Sequence, residues 1–200
     1  MALLHLTSKD YIVSQWSGGA TTQVAIAPAG ASYAERTFFW RVSSASVDAD
    51  ESDFTPLPDY HRWISTLVGE MTLSHNGGKT ITLSPYEVHQ FDGGADTHSW
   101  GRCTDFNLML RKGAAQGSIR SLRISAGAAQ AIGPEDAAIE QFPSCALLLF
   151  CGEGTAVVTL GSERVLVAAF EAVLLDDAAG RLLTVEAVEN TAFMVAEIWN

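Results

Sequence analysis

The chain has 200 residues, a formal net charge of -11, a hydrophobic fraction of 48% and a charged fraction of 18%. That length supports one substantial core or two small packed modules. The acidic balance disfavours contact with phosphate backbones, so nucleic acid is not an expected partner.

The longest apolar runs, such as "CALLLFCG", are too short to cross a bilayer as helices. The N-terminus "MALLHLTSKDYIVSQW" has neither the basic region nor the cleavage site of a secretory leader. The expectation is a cytoplasmic protein with no membrane partner. Cys103, Cys145 and Cys151 contain no CxxC unit and read as reduced and incidental to function.

In chain order, "WSGGATT" places Gly18 and Gly19 in a turn or bulge beside Trp16; it lacks the spacing and the lysine of a phosphate loop. "TTQVAIAP" and "TFFWRVSSASV" then read as strands. In the second, Phe38, Trp40 and Val42 share one face, and Phe39, Arg41 and Ser43 share the other. The acids Asp48, Asp50, Glu51 and Asp53 lack the order of a calcium loop and read as a hydrated loop before Phe54. "RWISTLVG" and "KTITLSPYEVHQF" continue the strand pattern, with a tight turn at Asn76–Gly78 where positive φ is tolerated. "DFNLMLRKG" puts Phe106, Leu108 and Leu110 on one side, and Asp105, Asn107, Met109 and Arg111 on the other. "GSIRSLRIS", "CALLLFCG", "TAVVTLG", "ERVLVAAFEAVLLDD" and "TAFMVAEIW" complete the series, with "LGSE" as a further turn. The best helix candidate is "GPEDAAIEQF", where Pro134 and the acids after it suit a first turn.

Two stretches resemble each other: "GEMTLSHNGGKTITLSPYEVHQFDG" and "GEGTAVVTLGSERVLVAAFEAVLLDD". Each begins Gly-Glu, runs through a strand, turns at Gly, and reaches a Glu (Glu87, Glu171) before an Asp (Asp92, Asp176). A duplicated β module accounts for this, with "SAGAAQAIGPEDAAIEQFPS" as the connection. The expected modules are residues 1–125 and 126–200, with strands exchanged between them.

Two polar faces carry the functional reading. An Arg beside an aromatic and a Ser, on a strand whose other face is apolar, suits a barrel that encloses a polar cavity. Arg41 or Arg111 would form paired hydrogen bonds with a ligand carboxylate, and Asp105 would orient a guanidinium. The competing readings are Arg–Asp pairing that braces the barrel, and solvent exposure. His5, His61, His75, His89 and His98 contain no HxH or HxxH spacing, so no metal is expected; His61, His89 and Glu87 are the one combination considered across strands. Ser43, Ser44 and Cys103 sit in no nucleophile elbow.

Together, "WSGGATTQVAIAP", "FFWRVSSASV", "FTPLPDYHR" and "FDGGADTHSWGRCTDFNLMLR" resemble the HutD/Ves family of bacterial bicupins. The resemblance implies an all-β chain of two cupin-like antiparallel barrels or sandwiches. It marks Trp16, Gly18, Gly19, Thr21, Arg41, Ser43, Arg62, Asp105, Asn107, Met109 and Arg111. Some members are associated with histidine utilisation, where regulation and binding of a formylated acidic intermediate have been suggested, and others with stress responses. Asp59, Gly94 and the Asp50-Glu51 pair depart from the family pattern, which puts the loops at the pocket mouth in question.

The resulting expectation is a binding protein, without metal or cofactor, for a small polar or carboxylated metabolite, with a role in histidine or amino-acid catabolism. Arg41 or Arg111 would take the anion, Asp105 and Asn107 would orient it, Ser43 and Arg62 would contribute contacts, and Trp16 would pack the wall or cover the ligand. The other classes are a cupin-type isomerase or metal-dependent oxygenase, and a structural or protein-interaction module. Open strand edges make a homodimer the expected assembly.

Overall fold

Short alternating runs punctuated by Gly and Asn dictate strands rather than helices, and the computed structural model of the chain, which describes residues 3–135 and 141–200, contains nineteen of them. No helix forms among the described residues, and none there is long and apolar enough to cross a membrane. The helix expected over residues 133–142 rests on residues 136–140, which lie outside the described set.

The chain divides into two compact units. The first, Tyr11–Ala114, holds β2 (Ile12–Trp16), β3 (Gly19–Ala27), β4 (Trp40–Val47), β5 (Glu51–Asp53), β6 (Tyr60–Val68), β7 (Met71–His75), β8 (Ile81–Leu83), β9 (Val88–Asp92), β10 (Thr97–Trp100) and β11 (Cys103–Arg111). The second combines Met1–Asp10 with Ala115–Asn200. It holds β1 (Leu4–Leu6), β12 (Gln116–Ile124), β13 (Ala129–Ile132), β14 (Cys145–Glu153), β15 (Thr155–Leu160), β16 (Glu163–Ala168), β17 (Ala172–Leu175), β18 (Leu183–Ala187) and β19 (Thr191–Trp199). The division falls at 114/115 rather than the expected 125/126, because β12 pairs along its whole length with β19. The N-terminal β1 likewise pairs with β17.

Each unit is built from two antiparallel sheets, and the larger sheets match over β4-β11-β6-β9 and β12-β19-β14-β17. The first unit has β2-β3-β4-β11-β6-β9 and β5-β10-β7-β8; the second has β1-β17-β14-β19-β12 and β13-β18-β15-β16. The central strands β11 and β19 are each flanked by the same kind of neighbours, β4 and β6 in one, β12 and β14 in the other. The internal sequence repeat maps onto equivalent elements. Gly69–Gly93 spans β7, β8 and β9, and Gly152–Asp177 spans β15, β16 and β17.

The two copies also turn the same corner in the same way. Tyr86 and Phe170 both adopt positive φ, 70° and 65°. The glutamate that follows each one accepts the backbone N–H three residues earlier: Glu87 from Ser84 at 2.8 Å, Glu171 from Ala168 at 3.0 Å. A bulky residue in this region is uncommon, and the carboxylate that caps the preceding turn helps to hold it there. In the β7–β8 hairpin, Asn76 and Gly77 take φ of 52° and 64°, the double positive that a tight right-twisting turn requires.

The apolar interiors differ. In the second unit one continuous cluster includes Leu147, Leu149, Phe193, Val195 and Trp199. The first unit contains two separate apolar clusters among its described residues. One contains Val47, Ile64, Leu73, Phe91 and Cys103, the other Phe38, Leu57, Tyr60 and Met109. On the inward face of β11, Cys103 belongs to one cluster and Met109 to the other, and Asp105 and Asn107 fall between them.

Candidate functional site

Residues of both clusters, Ala45 and Val47 from one and Met109 from the other, border a cavity of about 300 Å³. Its wall is set by strand register. β11 pairs with β4 so that Asn107 lies opposite Ser43 and Met109 opposite Arg41, and with β6 so that Met109 lies opposite Arg62. Alternation turns these residues to one side, and Arg41, Ser43, Arg62, Asp105, Asn107 and Met109 all line the cavity. Arg41 and Arg62 are 5% and 6% exposed, Asp105 and Asn107 6% and 4%. A volume at the lower end of the ligand-pocket range suits a small molecule.

The two guanidiniums are held by neutral groups. Arg41 donates from Nε to Gln23 Oε1 at 2.9 Å and from Nη1 to Ser43 Oγ at 3.1 Å, and its Cζ sits 4.4 Å from the centroid of the Tyr33 ring. Arg62 lies over two rings, 4.7 Å from the Phe54 centroid and 5.1 Å from that of Phe91. Its buried Nε has no hydrogen-bond partner. Among the described residues, neither arginine has a carboxylate within ion-pair distance. Burial lowers the pKa of both, that of Arg62 to about 10, so each still carries its charge at neutral pH.

Asp105 faces this pair without bonding to it. Its Oδ1 accepts the Ala45 backbone N–H at 2.8 Å, and its own carbonyl accepts the Ser44 hydroxyl at 2.6 Å. These bonds fall where the β11–β6 register shifts between Thr104 and Asp105, so the side chain replaces a ladder contact to β4. Burial pushes the carboxyl up to about 6, against the opposing pull of the Ala45 amide and of Arg62 and Arg41. Asn107 contributes a buried Oδ1 that also lacks a partner. Buried polar atoms are almost always satisfied, and here two residues of one cavity wall each carry a buried polar atom without a protein partner.

Trp16, at the end of β2, lines the same cavity and is 39% exposed. Its ring rests on Gly18, where an added Cβ would come within 2.2 Å of the indole. Arg111 departs from expectation. It shares the parity of Asp105 and Asn107 but lies outside the cavity, where it donates to the Arg36 carbonyl at 2.6 Å and Tyr60 Oη at 3.3 Å. Phe39 also departs: it precedes β4 and is exposed, because its backbone is engaged with Ala27 and Arg111 at the strand entrance. Tyr33, Phe54 and Gln23 were not singled out from sequence. Two are loop residues, and Gln23 sits beside a register shift in β3.

Other clusters resolve into local structure. Glu51–Asp53 form β5 rather than a hydrated loop; Asp53 bonds to His98 at 2.6 Å and Asp50 to Arg102 at 2.8 Å. His75 and His89 meet at 2.9 Å between their Nε2 atoms, and burial lowers the pKa of both. His75 Nδ1 lies 2.8 Å from Thr97 Oγ1, which in turn lies 3.2 Å from the Ala95 carbonyl. Among the described residues no three or more His, Cys, Asp or Glu side chains form a group suited to a metal, and His61, His89 and Glu87 do not converge. All three cysteines are free and buried; burial pushes Cys103 and Cys151 up to about 12, far from a reactive thiolate.

Comparison with known proteins agrees with this architecture. The HutD family model matches residues 8–193. A conserved protein of unknown function from Pseudomonas aeruginosa, PA5104, has 22% identity, covers 99% of both chains and superposes with a TM-score of 0.82. HutD from Pseudomonas fluorescens, in a formate condition, has 19% identity over 100% of both chains and a TM-score of 0.71. The oxalate decarboxylase formate complex of Lactobacillus farciminis has 8% identity, covers 100% of this chain and 86% of its own, and has a TM-score of 0.65. At these identities the structures speak to the cupin fold. No curated protein sequence matches the chain.

Proposed function

Because the chain belongs to the HutD family, a family of bicupins, we propose that it is a binding protein for a small carboxylated metabolite, held in the cavity of its first unit by arginine rather than by metal. One observation carries this reading. Two buried guanidiniums share a cavity and have no carboxylate partner within ion-pair distance among the described residues. Asp105 offsets these two buried charges only through space, and a ligand anion adds a direct compensation on binding. Arg62 supplies the less satisfied donor set and Arg41 the second charge. Asp105 and Asn107 orient the ligand, and Trp16 closes the mouth. The formate condition of the P. fluorescens HutD structure makes simple carboxylates the sensible first probes.

The bracing alternative requires Arg–Asp pairing, and the arginines bond instead to Gln23 and Ser43 or to nothing. A cytoplasmic, regulatory place in histidine or amino-acid catabolism is part of the proposal and draws on family membership. The test is calorimetric titration of formate, acetate and succinate into wild type and Arg62→Ala. Loss of a charge-assisted pair should weaken binding by roughly 10- to 100-fold. Equal affinity in the two proteins would remove Arg62 from the site, and no binding by any carboxylate would refute the reading.

A further inference from the structure

Asp105 poses a problem for an anion site. It is a carboxylate in the cavity that receives the anion, buried, with its Oδ1 tied to the Ala45 amide and its main-chain carbonyl tied to the Ser44 hydroxyl. Its Oδ1 is occupied, and among the described residues no hydrogen bond reaches its other oxygen. Two carboxylates in one low-dielectric space repel unless each has its own cation or one takes a proton.

The groups around Asp105 decide between these outcomes. From β4 it faces Arg41, from β6 Arg62, along its own strand Cys103, and across the cavity Tyr33 and Asp53. Neither guanidinium forms an ion pair with it, so the pull of Arg41 and Arg62 acts through space. A ligand carboxylate that takes up the vacant donors of Arg62 cancels much of that pull. The Ala45 amide then remains as the main stabiliser of the Asp105 anion, against full desolvation.

We propose that the ligand enters the cavity together with a proton, and that Asp105 holds it as a neutral carboxylic acid whose O–H donates to the bound carboxylate. This rests on the carboxylate-binding reading above. The proton comes from solvent or buffer acid, adds to the free oxygen of Asp105, and leaves Oδ1 accepting from Ala45. The site thereby gains a donor that exists only in the bound state, and it distinguishes a carboxylate from a neutral amide of the same shape. Burial already raises free Asp105 to about 6, so the step lies close to neutral pH. His75 and His89 are shifted in the opposite direction, downward from the usual imidazole value, by burial.

The sign follows from linkage. Above pH 6 the free protein must acquire the proton on binding, so the association constant falls with rising pH, by up to about tenfold per unit. The experiment is calorimetry of the whole chain with sodium formate, fully ionised throughout, between pH 6.5 and 8.5, in two buffers of different ionisation heat. Wild type should take up close to one proton and lose affinity as pH rises. Asp105→Asn, which keeps an oxygen for Ala45, should bind formate with no proton uptake and a flat profile. A difference infrared spectrum of wild type should gain a carboxylic-acid carbonyl band when formate is added, which tests the same point should the variant fail to fold. Formate binding without proton uptake or pH slope, or a band that does not appear, overturns the coupling and leaves the anion site standing. Failure of formate, acetate and succinate alike to bind refutes both.

Discussion

The central strands β11 and β19 hold the same station in their units, each nine residues long and paired on both sides with strands of the same length class. Their inward faces have diverged. β19 presents Phe193, Val195 and Trp199 to a continuous hydrocarbon interior, and its one inward carboxylate, Glu197, accepts the Trp199 indole N–H at 2.9 Å. β11 presents Cys103, Asp105, Asn107 and Met109, with Arg41 and Arg62 beside them on the neighbouring strands. One copy of the module packs these residues into an apolar cluster. The other leaves about 300 Å³ lined by charge. The contrast teaches that the two copies of a duplicated fold can diverge, with apolar packing in one and a charged cavity in the other.

The contrast can be broken most strongly in the filled unit. Phe193→Ala should cost about 3–5 kcal/mol by chemical denaturation, since it opens a void in a packed core; a cost under about 1 kcal/mol would mean that interior is not close-packed. In the polar unit the largest stability effect should depend on pH. Asp105 has a folded pKa raised from 3.8 to about 6, so its favourable contribution is fully present below about pH 4 and is lost as pH rises through 6. Asp105→Asn should therefore gain on wild type across that window, on the order of 3 kcal/mol, measured as paired denaturation curves. A gain that shrinks with rising pH would reverse the assignment.

Making the first interior resemble the second should separate stability from binding. Arg62→Met should hold or raise stability, by up to roughly 4 kcal/mol, while formate binding is lost. A destabilised variant would show that the guanidinium braces the barrel. The smallest effect concerns what the modules share. Glu87→Ala should cost about 1 kcal/mol, because it removes the acceptor for one turn amide, and Glu171→Ala at least as much, because it also removes the partner of His5. A thermal shift in only one of them would show that the corner is maintained differently in the two copies.

Much of the site was legible because alternation assigns sides. In "TFFWRVS" and "DFNLMLR" the contrast between apolar and polar residues placed Arg41, Ser43, Asp105 and Asn107 on one wall, and all four line it. Alternation does not assign depth, which is why Arg111, of the same parity, ends at Tyr60 and Arg36 instead. Nor could it orient Arg62: in "YHRWIST" both faces are buried, with Tyr60 and Trp63 on opposite sides, and the contrast vanishes. Arg62 was marked by the family resemblance alone. Tyr33 and Phe54 reach the cavity from irregular segments, where no period operates. The division between units was misplaced because the composition changes near residue 125, whereas pairing of β12 with β19 is what decides membership.

The attachment of β1 to β17 has a consequence for the order in which the molecule forms. All of Tyr11–Ala114 leaves the ribosome as one uninterrupted stretch, and its partners are available early. The second unit takes its first strand from the start of the chain and the partner of that strand from near the end, Leu4 opposite Leu174. Closing so distant a contact is slow. The unit with the polar cavity therefore has all its strands available before the other unit has its own.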